Sequence, residues 1–155
     1  MSTQPPLDPI GRLQAVHAET RRRLQGALGR EAHWPALAAW IDGPARAAHD
    51  ILEQRLFPAL IESMAGSDAV CLKAMTGALV RDRADLDRRW RQAARPALDG
   101  VTVAAVGVDL ATWADDYLAW LARADGELLP MAARLLDDAA LDALAVDCAR
   151  LDDGA

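Results

Sequence analysis

Lysine, tyrosine and phenylalanine each occur once in the 155 residues, and cysteine only twice. Positive charge is also in deficit, with seventeen Lys+Arg against twenty-three Asp+Glu and a formal net charge of −6. A chain of this sign is repelled by nucleic-acid backbones and anionic membrane surfaces, so neither is an expected partner. No stretch approaches the roughly 18 uninterrupted apolar residues of a membrane span, and Met1 to Pro9 hold neither a basic nor an apolar leader segment. These absences predict a cytoplasmic protein. Cys71 and Cys148 match no paired metal-ligand spacing and read as small buried hydrophobes of a reducing compartment. Gly-rich phosphate loops, serine nucleophile elbows and Cys-x-x-Cys pairs are missing as well.

The scarcity of β-branched and aromatic residues removes the vocabulary of strands, and the wealth of Ala, Leu and Arg supplies that of helices. A length of 155 residues, 52% of them hydrophobic, suits one domain with a sizeable core. Asp8-Pro9 is an N-cap followed by proline, and Ile10, Leu13, His17, Thr20, Leu24 and Leu28 recur at helical spacing, predicting a first helix over about 9–28. A second stripe runs from Trp34 through Ile41, His49, Leu52 and Leu60 to about Met64, with Gly43-Pro44 and Pro58 expected to bend it. After a turn at Gly66-Ser67-Asp68, a third stripe carries Leu72, Leu79, Arg83, Leu86 and Trp90 and ends before Pro96. Ala97 to Gly107 reads as the one long connection, and a fourth stripe extends from Asp109 to Leu135. Asp137-Asp138 then cap a tail helix over Leu141–Leu151.

The expectation is an all-α, antiparallel four-helix bundle with a short C-terminal tail helix, forming a single domain over 1–155. A weak internal repeat fits two related hairpins: Leu56-Phe57-Pro58 is echoed by Leu128-Leu129-Pro130, and Leu13-x3-His17 by Leu79-x3-Arg83.

His49 and Glu53 stand four residues apart and project from one helical face, while His17 lies on the inward stripe of the first helix. Two imidazoles and a carboxylate form the ligand set of a mononuclear facial triad, or half of a carboxylate-bridged pair of ions. By spacing alone the same residues also read as core-rim histidines bonded to neighbouring polar groups. His33, beside Trp34-Pro35, reads as a surface or capping residue. The arginine runs 21–23 and 88–91 are interleaved with acids and read as solvated faces. The five tryptophans, at helical spacing, read mostly as core.

The chain resembles the hemerythrin-like, or HHE cation-binding, family of bacterial proteins. The likeness covers roughly residues 8 to 150 and is most specific over His49 to Pro58, with its Leu56-Phe57-Pro58 ending; the segments around His17, Asp82–Leu86 and Tyr117–Pro130 look like the other ligand helices. The resemblance implies a diiron site that binds or senses oxygen or related small molecules. Carried over residue by residue, His17, His49 and Glu53 match its ligand pattern. Arg83, Trp120 and Ala124 stand where a histidine, a histidine and a glutamate are expected, and Asp125 is one residue out of register. One step is about 100° around a helix, so Asp125 substitutes only if the helix bulges.

A guanidinium has no lone pair for a metal and repels a cation beside it. The expected polar core is therefore an Arg83 to Glu53 ion pair in place of iron, with Trp120 filling the freed volume and Arg83 left uncompensated if Glu53 is lost. The resulting reading is a degenerate hemerythrin-like bundle without a cofactor, non-enzymatic, binding a protein partner or small ligand as a monomer or homodimer. The alternative is a single iron or zinc ion at His17, His49 and Glu53, sensing or carrying O2 or NO. An enzyme is the weaker expectation, since no general acid accompanies the triad unless Tyr117 or Asp125 reaches in.

Overall fold

The computed structural model describes residues 8–29, 33–95 and 103–152. Among these residues the chain is wholly helical, with five helices and no strand. Helix α1 is Pro9–Gly29; its first turn is closed by Asp8, whose side chain accepts a hydrogen bond from the Gly11 amide at 2.6 Å. Helix α2 (34–62) is built from Trp34–Trp40, Arg46–Ile51 and Phe57–Glu62, joined by π-helical turns at Ile41–Ala45 and Leu52–Leu56. Helix α3 is Gly66–Arg89, continued by a π-turn at Trp90–Ala94. Helix α4 (103–135) joins Val103–Arg123 to Leu129–Leu135 through a π-turn at Ala124–Leu128, and helix α5 is Asp138–Asp152. Asp137 caps α5, accepting from the Ala140 amide at 2.8 Å.

The π-turns follow the prolines. Pro44 lies inside one, and Pro58 and Pro130 each sit at the second position after another. Proline lacks the N–H of the ordinary i to i−4 bond and crowds the preceding turn, and a widened turn absorbs both faults without breaking the helix. The expected bends at Gly43-Pro44 and Pro58 are thus changes of helical pitch.

Three boundaries differ from the sequence expectation, the simplest being α5, which starts at Asp138, directly after its cap, rather than at Leu141. Gly66-Ser67-Asp68 is the first turn of α3, which starts from Gly66 at a φ of 64°, a left-handed conformation open to glycine. Helix α4 begins at Val103, six residues before Asp109, because its Val- and Ala-rich start continues the helical run; the rest of the expected connection, 97–102, lies outside the described residues.

Helix α1 packs on α4, α2 and α5; α3 packs on α4 and on the end of α2; and α5 also covers the middle of α2. The apolar faces meet in one core, with Leu13, Leu24, Leu52, Leu56, Leu60, Leu121 and Leu128 all at 0% exposure. Each such side chain contributes about 1.5–3 kcal/mol by leaving water. Among the described residues no helix is long and apolar enough to cross a membrane. Of the two cysteines, Cys148 is buried but Cys71 is exposed, because α3 turns that face away from its neighbours.

Candidate functional site

The polar residues of the core collect where α1, α2, α3 and α4 approach one another. Leu13, His17, Thr20 and Leu24 share the buried face of α1, so the same periodicity that buries leucine buries His17 completely. His49 follows Ala45 and Ala48 into the core, and it retains 2% exposure. The small alanines allow the two imidazoles to approach, with ring centroids 5.5 Å apart.

Each histidine is oriented by a group on α4. His17 donates from Nδ1 to Oδ1 of Asp125 at 2.6 Å, and Arg21 donates to Oδ2 of the same carboxylate at 2.7 Å. Asp125 lies in the π-turn Ala124–Leu128, whose extra width is the bulge that its register requires. Burial works against ionisation of Asp125, but the hydrogen bonds and charges of His17 and Arg21 outweigh it and hold the carboxyl below its ordinary range. His49 meets the Tyr117 hydroxyl through Nε2 in a short, fully buried hydrogen bond. Desolvation first, then the positive influence of His17, Arg83 and Arg46, pushes the His49 pKa well down, so the ring is neutral. Burial likewise pushes the Tyr117 phenol up.

Arg83 takes the direction expected of it. Its guanidinium stands 3.2 Å from Oε2 of Glu53 and 2.9 Å from Oδ1 of Asp50, so two carboxylates of α2 grip one arginine of α3. The side chains of Arg83 and Glu53 keep 15% and 19% exposure, which puts the pair at the core's rim. Desolvation nevertheless raises the Glu53 pKa despite the lowering influence of Arg83, with Asp50 and Asp87 adding to the rise. The arginine offsets only part of what it costs to hold this carboxylate in the protein.

Trp120 occupies the centre. It is 2% exposed, its indole lies edge-on to His49 at 4.6 Å and to His17 at 6.0 Å, and its N–H donates to the Leu79 carbonyl at 2.9 Å. Ala124, 1% exposed, offers no donor atom. Beside this cluster a cavity of about 20 Å³ is lined by Arg46, His49, Arg83, Trp90, Trp113 and Tyr117, among others. That is room for a water molecule and little more.

Three buried atoms of the sequence-derived ligand set have no hydrogen-bond partner: Nε2 of His17, Nδ1 of His49 and Oε1 of Glu53. They do not add up to a metal site. Among the described residues no three His, Cys, Asp or Glu side chains converge as ligands for an ion, and the charge beside Glu53 is a guanidinium. The residues as arranged do not fit a metal ion. Nor do they fit acid–base catalysis on a substrate. His17 and Asp125 have the pairing of an oriented general base, but the free Nε2 belongs to a residue with 0% exposure.

Asp50, Tyr117 and Arg21 are the partners that sequence reasoning did not assign; Arg21, expected on a solvated face, instead bonds to Asp125. Asp50 directly follows His49 and stands three residues before Glu53, so its helical neighbourhood was the available signal. The remaining candidates lie at the surface. His33 is exposed at the start of α2 without a capping side-chain bond. Arg22 and Arg23 pair with Glu19, Arg88 pairs with Asp85, and Arg91 pairs with Asp87.

Comparison with protein-family models, with curated proteins and with solved structures finds no match to this chain.

Proposed function

We propose that the chain is a degenerate hemerythrin-like domain: an antiparallel four-helix bundle of α1 to α4, with α5 as a tail, whose core holds an ion pair and a tryptophan in place of two irons. Its role is non-enzymatic, in binding or regulation. The observation that carries this reading is the Arg83 guanidinium, 3.2 Å from Glu53, the one carboxylate that matches the family's ligand pattern in register. An arginine there excludes a cation by charge, and it supplies Glu53 with the partner that a metal would otherwise be. The core cavity of about 20 Å³ leaves no room for a metabolite beside the histidines.

Metal content per chain tests the reading, measured by plasma mass spectrometry on protein purified without a metal-affinity step from iron- and zinc-supplemented cells. Near-zero occupancy is expected. About one equivalent would overturn it in favour of the second reading, a mononuclear protein using His17, His49 and Glu53. That reading starts from the three unpartnered atoms on those residues, which do not converge as arranged and would have to be drawn together onto the ion. The scaffold relationship has its own test: Arg83→His, Trp120→His and Ala124→Glu together restore iron uptake if the bundle has kept the family's geometry, and take up none if it has not.

A further inference from the structure

Tyr117 is the only tyrosine in the chain and is 5% exposed. The neighbouring indoles satisfy their N–H groups on backbone carbonyls, Trp113 on Leu86 and Trp120 on Leu79. Tyr117 instead bonds to an imidazole. Its hydroxyl has no second polar partner among the described residues, and because a phenol is the stronger donor and a neutral imidazole nitrogen the stronger acceptor, we assign it as donating to Nε2 of His49, with the ring proton on the unpartnered Nδ1. A neutral imidazole with its lone pair on a phenolic proton is a base in place for that proton; burial and the nearby cations disfavour its imidazolium, but a phenol that has lost an electron is a strong acid, so the transfer still runs toward the ring.

The phenol ring is also in contact with a line of indoles. Trp113 meets Tyr117 edge-on at 5.4 Å, and Trp90 stacks on Trp113 at 4.7 Å with an interplanar angle of 26°. Trp90 is itself 1% exposed; its N–H ends the line on the Asp42 carboxylate at 2.7 Å, and that carboxylate, 37% exposed, is all that separates the last ring from solvent. An electron can therefore leave Tyr117 through rings in contact, while its proton moves the length of one hydrogen bond in another direction. The adjoining cavity, about 20 Å³, is too small for an oxidant to reach the phenol itself.

We propose that Tyr117 is a proton-coupled one-electron donor, with His49 as its proton acceptor and Trp113–Trp90 as its path to the surface. The co-reactant is an outer-sphere one-electron oxidant acting at the Asp42–Trp90 end. The O–H bond of Tyr117 breaks, its proton forms an N–H bond at Nε2 of His49, and one electron passes through the indoles to the oxidant. The products are a neutral phenoxyl radical, an imidazolium and the reduced oxidant, so charge and atoms balance. Burial, and the lack of a second tyrosine to couple with, then protect the radical.

Flash–quench oxidation of the full chain by photogenerated ruthenium(III) tris-bipyridine, read by electron paramagnetic resonance and transient absorption, tests the assignment. The wild-type protein is expected to yield a phenoxyl radical that forms more slowly in D2O, and this signal has only one possible source in the sequence. Tyr117→Phe leaves indole radicals alone. His49→Gln, which keeps a hydrogen-bonding side chain but removes the base, slows phenoxyl formation by about a hundredfold. Indole radicals alone in the wild type, an absent isotope effect, or equal rates in His49→Gln would overturn the proposal. The isotope measurement uses unmodified protein, so it decides even where the variant fails to fold.

Discussion

Replacing Arg83 with methionine isolates the electrostatics of the core's rim, because methionine keeps the apolar stem and removes only the charged head. At 3.2 Å the pair with Glu53 is worth about 5 kcal/mol at an effective dielectric of about 20. Residual exposures of 15% and 19% let water screen part of this, and Arg83 no longer needs to be desolvated once removed. The expected net loss near neutral pH is about 2–3 kcal/mol, below the roughly 3–5 kcal/mol for breaking a fully buried pair. The loss has a definite pH dependence. The Glu53 pKa is already raised by desolvation, and Arg83 is the principal influence lowering it, so its removal raises it further. The folded state then holds a proton that the unfolded state has released, and stability falls as pH rises through that interval. Lowering the pH far enough to protonate Glu53 returns most of the loss. Urea unfolding followed by tryptophan fluorescence, at neutral pH and in steps toward acid, measures both values. An equal loss at neutral and acid pH, or none at either, would refute the assignment of Arg83 as the counterion of Glu53.

Glu53→Gln is expected to cost less than about 1 kcal/mol in the same assay, since Arg83 keeps Asp50 at 2.9 Å and the charge removed was disfavoured by burial; a loss comparable with Arg83→Met would mean that Asp50 does not compensate. Asp125→Asn removes the charge and leaves one acceptor oxygen where His17 and Arg21 each use their own, so one of the two loses its partner, and it should cost about 1–3 kcal/mol at neutral pH. Because the Asp125 pKa is lowered in the folded protein, the ionised side chain's contribution is present above its unfolded pKa and disappears as pH falls through the folded one. The variant and the wild type should therefore converge in acid, and a constant gap would argue against it. Spectrophotometric titration should show no phenolate band for the single tyrosine across the ordinary phenol range, followed by a band that rises only with alkaline unfolding; a step near the usual value would mean that Tyr117 is not sealed against His49.

Helix positions and core residues were legible wherever periodicity was uninterrupted. The stripe Leu13, His17, Thr20, Leu24 is the buried face of α1, and periodicity likewise puts Arg83 on an apolar face; its pairing with Glu53 was expected from the ligand positions that the hemerythrin-like resemblance implies. Pitch was not legible. Proline marks that a helix must adjust, and whether it kinks or widens is settled by what the resulting register packs against. Asp125 is the instance that matters: on an ideal helix it faces away from His17, and in the widened turn it becomes its hydrogen-bond partner. The second grip on Arg83 escaped notice for a different reason. Asp50 reads as a solvent-facing acid at 45% side-chain exposure, and a long arginine reaching outward past Glu53 meets it there. In the sequence Tyr117 is only one more member of the α4 stripe, within reach of the core. Its pairing with His49 depends on a contact between α2 and α4, 68 residues apart in sequence, that no local pattern encodes.

The four π-turns have one more consequence, for the chain's tolerance of length changes. A π-turn is in effect a helix with one residue more than its hydrogen-bond ladder needs, so each is a place where a single codon can be lost while the helix stays continuous. Losing one residue from Ala124–Leu128 would leave α4 unbroken but rotate Asp125 by about 100° relative to Leu129–Leu135, uncoupling it from His17. Losing one from Leu52–Leu56 would likewise re-aim Glu53 relative to Phe57–Glu62. At these turns backbone continuity and side-chain aim are therefore separable, and a deletion scan would read the polar core directly, as a map of which surplus residues it requires.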